Sequence, residues 1–336
     1  MVTIKDIAKK SGYSIGTVSR VLNNRADVSE EARKKIKAVI EKENYYPNTN
    51  AQGLKQNQGN AIAAIVVGRG NIFFADLLEK IEVELRDKGE EILVSYIDEK
   101  TDQVQEALKL IASFKPKGIL FLGGSLHAFK QSFSKISLPS VLLTNDAKNL
   151  GFANLSSVTT NDTEGARKGM QYLLDKGHRK IGIIGGSMDH SGAIDLRVKS
   201  CLQICEEYGI DFDIESQYIE TRYSMKDGYE GTLKLLKNHS DISAIFAQSD
   251  SVAVGVLRAL KDIQKEVPND VSVIGYDGIS FVEYTIPRLA TIQQNTSLLA
   301  KRGVEILLLR LNYPYEAEYE YIPFHLIEGE SVKEKK

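Results

Sequence analysis

At 336 residues, the chain is longer than one ordinary hydrophobic core supports, so we expect two or three domains. Its composition, 42% hydrophobic and 26% charged, is that of a globular protein. No apolar run approaches the ~18 residues that a membrane-spanning helix needs. Residues 1–10 lack the apolar core of a secretion signal and the chain has only 2 cysteines, so we expect a cytoplasmic protein.

Charge is divided unevenly along the chain. Residues 1–60 carry 11 lysine and arginine residues against 6 acidic ones, whereas the remainder carries 32 basic and 39 acidic residues. A small basic segment on an acidic body suggests a polyanionic partner for the first 60 residues alone. A charged, solvated surface would give the same asymmetry, so charge by itself does not decide the function.

The N-terminal segment has the pattern of three short helices. Thr3 can cap the first helix, and Gly12 lies in a turn where a positive φ is needed. A second helix is predicted over residues 15–22, and a third begins after Ser29. Two short helices joined by a glycine-containing turn predict a helix-turn-helix.

From residue 61 onward, apolar strands alternate with amphipathic helices in two successive series. Residues 61–67 are apolar almost throughout, as a parallel strand buried on both faces requires. The tail is predicted to hold a strand at residues 290–292, a helix at 298–311 and one strand at 319–325. The expected fold class is therefore α/β, with an all-α helix-turn-helix head followed by two doubly wound parallel-sheet lobes.

Six stretches are spread over nearly the whole chain, namely VTIKDIA (2–8), TVSRVLN (17–23), YPN (46–48), DKGHRKI (175–181), VPNDVSVIGYD (267–277) and LATI (289–292). In sequence and in order, they resemble the lactose/galactose-repressor (LacI/GalR) family. This resemblance implies a helix-turn-helix DNA-binding domain at residues 1–46, a hinge helix and linker at 47–60, and a periplasmic-binding-protein-like effector and dimerisation domain at 61–336. The two lobes of that domain are expected to comprise residues 61–160 with 292–321, and 161–291 with 322–330.

The second helix of a helix-turn-helix lies in the major groove of DNA, with its N-terminal residues nearest the base edges. By resemblance, Ile15, Gly16 and Arg20 occupy the family's base-reading positions. Arg20 can bond a guanine through two hydrogen bonds, and Ile15 can pack on a thymine methyl group or, alternatively, in the core of the head. Phosphate contacts are expected from residues that could otherwise serve as helix caps or solvated hydroxyls, namely Thr3, Ser14, Thr17, Ser19 and Asn23.

Residues 48–55 resemble the family's hinge helix, in which Asn48, Ala51 and Leu54 are expected to contact DNA. Leu54 matches the leucine that enters the minor groove and kinks a base step, although it could instead pack on the body. One head offers too little surface for tight specific binding. We therefore expect a homodimer that reads a pseudo-palindromic operator.

A ligand site is expected where the carboxyl ends of the strands of the two lobes face each other. The residues there are polar, acidic and aromatic, which suits a sugar better than an anion. By resemblance, Phe73 and Phe74 wall the pocket, and Arg197, Tyr223 and Asp277 contact the ligand. Alternatively, Phe73 and Phe74 pack only in the hydrophobic core, and Asp250 and Asp277 only cap the segments that follow them. The remaining candidates are Ser125, Glu164, His190, Ser249 and Asp250.

Two other functions compete with a ligand-controlled regulator. The sequence has no phosphate-binding loop, metal-spaced cluster or nucleophile motif, so we expect neither an enzyme nor a cofactor. A solute-binding protein of a transport system would have a similar body, but the helix-turn-helix head argues against it. We expect the regulator to be a repressor whose operator affinity depends on a small ligand, with release on binding as the favoured direction.

Overall fold

The computed structural model describes residues 4–22, 25, 28–43, 59–188, 192–313 and 316–335. The chain divides into two compact units, Met1–Gln58 and Gly59–Lys336. Within the described ranges, no helix is both long enough and apolar enough to cross a membrane.

Within its described residues, the first unit has three helices around a small core. Ser14 caps the second helix, because its Oγ accepts a hydrogen bond from the backbone nitrogen of Thr17 at 3.1 Å. Gly12 has a φ of 77° in the preceding turn, as expected for glycine there. The core is formed by Ile7, Ala8, Val18, Val21 and Ile36. The helices are α1 (Ile4–Ser11), α2 (Ile15–Leu22) and α3 (Glu30–Lys42).

The first lobe of the second unit is built on a six-stranded, fully parallel sheet with the order β11-β5-β4-β3-β1-β2. Alternate residues of β1 enter two different hydrophobic clusters, which explains the continuous apolar run of that strand. The strands are β1 (Ile62–Val67), β2 (Ile92–Ile97), β3 (Gly118–Leu122), β4 (Ser140–Leu143), β5 (Leu155–Thr160) and β11 (Tyr319–Ile322), and the helices are α4 (Ile72–Asp87), α5 (Gln103–Phe114), α6 (Leu126–Ser132) and α12 (Thr296–Asn312).

The second lobe has a six-stranded sheet with the order β12-β10-β9-β8-β6-β7. Five strands are parallel, and the edge strand β12 pairs antiparallel with β10. Its strands are β6 (Ile181–Gly185), β7 (Tyr218–Glu220), β8 (Ala244–Ala247), β9 (Ser272–Asp277), β10 (Ala290–Gln294) and β12 (Phe324–Ile327), and its helices are α7 (Asp162–Asp175), α8 (Gly192–Glu207), α9 (Ile214–Gln217), α10 (Met225–Asn238) and α11 (Asp250–Asp262). The predicted α/β class with two lobes is confirmed.

The chain passes three times between the lobes, and two of the sequence predictions change there. Residues 292–294 were expected in the first lobe but lie in β10, paired with β9 of the second sheet. The single strand predicted at 319–325 is two strands, one in each sheet, separated by Pro323. Proline donates no backbone hydrogen bond, which favours a break in the strand at this position. The short helix α9 was not predicted.

Candidate DNA-binding surface and ligand site

One face of α2 is exposed within its own unit, and it carries the three expected base-reading residues. Ile15, Gly16 and Arg20 are exposed, whereas Val18 and Val21 fill the core on the opposite face. The side chain of Ile15 is 45% exposed, so it does not pack in the core of the head. Because residues three or four positions apart share a face of a helix, the core residues and the candidate base-reading residues lie on opposite faces of α2.

The remaining DNA-binding candidates divide into described and undescribed positions. Ser14 serves as the cap of α2, and its hydroxyl also lies 2.9 Å from the hydroxyl of Thr17. Ser19 is partly buried. Thr3, Asn23, Asn48, Ala51 and Leu54 lie outside the described residues.

In the second lobe, Arg197 is the centre of a buried polar cluster. Its Nε donates to Asp162 Oδ1 at 2.7 Å, and its Nη1 donates to the backbone oxygen of Gln248 at 3.0 Å. The guanidinium lies 3.6 Å from the ring centroid of Tyr276, whose hydroxyl also donates to Asp162. Since both members of the ion pair are less than 10% exposed, each charge depends on the other for compensation.

A second chain of hydrogen bonds joins Asp277 to two passages between the lobes. Gln294 Nε2 donates to Asp277 Oδ1 at 2.8 Å, and Gln294 Oε1 accepts from Thr160 Oγ1 at 2.7 Å. Thr160 ends β5 in the first lobe, and Gln294 ends β10 in the second. Burial raises the pKa of Asp277 to about 7, against the opposing effects of Arg197 and of the hydrogen bond from Gln294.

Tyr223 lies at the carboxyl end of β7 in a left-handed backbone conformation with a φ of 58°. Such a conformation is costly for a tyrosine and is found where a site requires it. Burial raises the pKa of its hydroxyl, with further effects from Arg197, Asp277, Asp162 and, in the first lobe, Glu99. Tyr223 therefore lies among the charged groups of both lobes.

The first-lobe candidates line the same edge of their sheet. Phe73 is 5% exposed and belongs to the hydrophobic core. Phe74 is half-buried, and a Cβ added to Gly123 would lie 2.6 Å from its ring. The Ser125 side chain caps α6 through the backbone nitrogen of His127. The two lobes meet nearby, where Asn145 Oδ1 accepts from the backbone nitrogen of Ala193 at 3.0 Å.

Asp250, unlike Asp277, caps the backbone of the segment that follows β9. Its Oδ2 accepts from the backbone nitrogens of Gly278 and Ile279 at 2.6 and 2.9 Å. Its Oδ1 accepts from Thr291 Oγ1 at 2.7 Å, and the residue is fully buried. We therefore leave Asp250 out of the proposed ligand site.

Glu164, Ser249 and His190 are three further candidates for the ligand site. Glu164 is exposed on α7. The pKa of Arg167 is raised first by its hydrogen bond with Glu207, and the charge of Glu164 adds to this effect. Ser249 is buried just before α11, and its side chain makes no capping hydrogen bond. His190 lies outside the described residues. Of the acidic residues at the start of α7, it is Asp162 rather than Glu164 that reaches Arg197.

Several residues of this cluster are not evident from the sequence. Asp162, Gln248 and Gln294 were not proposed as ligand contacts, although each lies at or just beyond a strand terminus. The rule that ligands bind at the carboxyl ends of strands could have included Gln248, which directly follows β8. In the described part of the chain, no group of three His, Cys, Asp or Glu side chains could hold a metal ion.

Replacing Asp277 with asparagine is expected to change how stability depends on pH. The folded carboxyl takes up its proton near pH 7 and the unfolded one near 3.8, so the folded state binds more protons between these values. The free energy of unfolding therefore falls as pH rises through this window, by on the order of 2 kcal/mol from this group between pH 5 and 8. Urea unfolding should show the variant gaining stability relative to wild type at pH 8 compared with pH 5.

The matched control for this prediction is Asp213→Asn. A hydrogen bond from Ser216 lowers the pKa of Asp213, so this carboxyl is ionised at both pH values in both states. Its substitution should change the stability equally at pH 5 and pH 8. A pH-independent difference for Asp277→Asn would contradict the predicted titration.

Comparisons with known proteins agree with this two-part architecture. The family model described as bacterial regulatory proteins, lacI family, matches residues 3–48, and the periplasmic binding protein-like domain matches residues 170–332. The transcriptional regulator MalR of Clostridium butyricum is 32% identical over 334 residues, covering 98% of this chain and 99% of that protein. The ribose operon repressor of Lactococcus lactis is 27% identical over 337 residues, covering 100% and 99%.

A solved structure is also similar. The LacI family transcriptional regulator from Enterococcus faecium with bound ribose is 26% identical to this chain. The match covers 82% of this chain and 100% of that one, with a TM-score of 0.71.

A helix-turn-helix head joined to a two-lobed α/β body defines a transcription regulator with a ligand-binding domain. The end-to-end identity with MalR makes the assignment specific. The chain belongs to the lacI family of bacterial regulatory proteins. The predicted resemblance is thus confirmed, and the alternative of a transport-system binding protein is excluded.

Proposed function

We propose that the protein is a repressor that binds a pseudo-palindromic operator as a homodimer and is controlled by a sugar bound between its lobes. The observation that carries the sugar site is the gathering of Arg197, Asp162, Asp277 and Tyr223 at the carboxyl ends of the second-lobe strands. The ribose bound to the Enterococcus faecium relative and the name of the Lactococcus lactis relative support a sugar as the effector.

The charges of the site favour a neutral, hydroxyl-rich ligand. Arg197 is already compensated by Asp162, so it offers little net positive charge to an anion. Asp277 and Glu99 add acceptors for hydroxyl hydrogen bonds, while Tyr223 and Phe74 offer aromatic surface to the apolar face of a sugar ring. A phosphorylated sugar would bring negative charge next to these carboxyl groups, which is unfavourable.

A route from the ligand to the DNA follows from the passages between the lobes. A ligand that bonds Asp277 competes with Gln294 for the same carboxylate, and Gln294 is bonded to Thr160 of the other lobe. Ligand binding would then change the angle between the lobes and, in the dimer, the spacing of the two heads. Coupling of this kind is typically worth about 1–3 kcal/mol, or roughly 5- to 150-fold in operator affinity. We propose that the ligand releases the operator.

On the DNA side, we propose that Ile15, Gly16 and Arg20 face the bases. Phosphate contacts would come from Thr3, Ser14, Thr17, Ser19 and Asn23, and hinge contacts from Asn48, Ala51 and Leu54. We also propose that the protein acts in the cytoplasm, uses no cofactor and leaves its ligand chemically unchanged.

The test has two arms, both with the full chain. Selection from a random duplex library should yield a twofold-symmetric site, and fluorescence anisotropy then measures its affinity. D-ribose, D-glucose, D-galactose and maltose are screened by thermal shift, and at least one should raise the melting temperature and weaken the operator complex by roughly 5- to 150-fold. Stabilisation by a sugar without any change in operator affinity would contradict the proposed control, and selection without a symmetric site would contradict the proposed DNA binding.

A further inference from the structure

The side-chain amide of Gln248 makes no hydrogen bond within the described part of the chain. The residue directly follows β8 and is fully buried, yet neither Oε1 nor Nε2 of its amide has a partner there. A buried polar group left unpaired costs about 1–3 kcal/mol, so native proteins almost always pair such groups with protein, water or ligand. The described chain therefore supplies no hydrogen-bond partner for this amide, which is an exception that calls for a physical reason.

Two consecutive glycines, the last residue of β6 and the one after it, let polar side chains pack directly against the backbone. A Cβ on Gly185 would lie 2.6 Å from Gln248 Oε1 and 2.7 Å from the hydroxyl of Tyr218. A Cβ on Gly186 would lie 2.5 Å from the ring of Tyr223, whose hydroxyl is also buried without a partner. The Tyr218 hydroxyl, by contrast, donates to the backbone oxygen of Gly186 at 2.5 Å. Two unsatisfied polar groups thus flank the same backbone segment.

This feature is connected to the proposed ligand site. The backbone oxygen of Gln248 accepts from Arg197, so the backbone of this residue is bonded to the central arginine of the cluster. Tyr223 lies close enough to Arg197 and Asp277 for their charges to affect its hydroxyl. Gln248 is therefore adjacent to the site and does not belong to a separate region of the core.

We propose that the Gln248 amide and the Tyr223 hydroxyl form a polar subsite that binds hydroxyl groups of the ligand, and that Gln248 determines which sugar is preferred. This inference rests on the proposed function. A carboxamide offers one acceptor and two donors, and a pair of adjacent sugar hydroxyls can match both kinds of group at once. A site built to bond a hydroxyl discriminates against the analogue that lacks it, because its own polar groups are then left unpaired.

The experiment compares Gln248→Met with a matched glutamine elsewhere in the second lobe. Methionine keeps the length of the side chain and removes its polar atoms. Gln217 is the control, because its amide is fully paired with the backbone oxygen of Ile181 at 2.9 Å and the backbone nitrogen of Asp213 at 3.0 Å. Calorimetric titrations of the full-length variants use D-ribose, D-glucose, D-galactose and maltose, together with the monodeoxy analogues of whichever sugar binds wild type best.

Gln248→Met is expected to weaken the best sugar about 10- to 100-fold, while its affinity for one monodeoxy analogue stays close to that of wild type. It should not lower the melting temperature of the ligand-free protein. Gln217→Met should lower the melting temperature and leave the order of sugar preference unchanged. If Gln248→Met bound every sugar with wild-type affinity, the proposed subsite would be wrong. The partner of the amide would then be an internal water. Failure of wild type itself to bind any sugar would reject the proposed effector, and the subsite with it.

Discussion

Arg20→Ala is expected to abolish the preference of the dimer for its operator. The side chain is exposed on the face of α2 that carries Ile15 and Gly16, and an arginine there can bond a guanine bidentately. Such a pair discriminates between bases by about 1–3 kcal/mol for each head, and a dimer has two heads. Anisotropy titrations against the selected duplex and a scrambled duplex should show the two affinities converging.

Lys37→Ala is the matched control for this prediction. Lys37 is an exposed cation on α3, so its substitution removes the same charge outside the proposed reading helix. If Lys37 contributes only general electrostatic attraction, its substitution should weaken binding to both duplexes by about the same factor, whatever their base sequence. If Arg20→Ala also weakened binding to both duplexes by the same factor, and so kept full discrimination between them, α2 would not be the helix that reads the bases. Sugar binding should be unchanged in both variants.

Arg197→Met is expected to destabilise the second lobe strongly. It removes the partner of Asp162, whose side chain is only 4% exposed, and the cation that stacks on Tyr276 at 3.6 Å. Breaking a buried ion pair by removing one partner typically costs about 3–5 kcal/mol, because the other charge stays buried without compensation. Urea unfolding should detect this loss, and thermal shift should detect the loss of sugar binding.

Two further variants separate the ion pair from its surroundings. Asp162→Asn combined with Arg197→Met should recover part of the lost stability, since no uncompensated carboxylate remains. Arg167→Met removes an arginine from an exposed pair with Glu207, and such pairs are worth about 0–1 kcal/mol. An Arg197→Met variant no less stable than Arg167→Met would show that the buried pair does not hold this lobe together.

Much of the fold was predictable because its signals are local. The apolar run of β1 indicated a strand buried on both faces, and the structure places alternate residues of that strand in two hydrophobic clusters. The turn at Gly12 and the cap at Ser14 likewise follow from short-range chemistry. The apolar pattern of residues 319–325 predicted a single strand, and only the family resemblance divided this segment between the lobes, because which sheet a strand joins depends on distant parts of the chain.

The candidate site was predictable only in part, for a related reason. Asp250 and Asp277 both follow or end strands and are chemically identical in the sequence. The first became a cap because Gly278, Ile279 and Thr291 supply three donors from elsewhere in the lobe. The pairing of Asp162 with Arg197 joins residues 35 positions apart, and no spacing rule identifies it. Strand-end rules therefore indicate where a site lies but not which side chains the fold has already engaged.

The two short strands on either side of Pro323 have a consequence for damage to the gene or the protein. β11 closes one edge of the first sheet and β12 closes one edge of the second, so loss of the residues after 316 would bare β5 and β10 together. Unpaired strand edges are templates for association with other chains. A nonsense mutation or proteolytic nick near this point should therefore yield insoluble, rapidly degraded product, and the regulated genes would escape repression through loss of the polypeptide rather than through a defect in sensing.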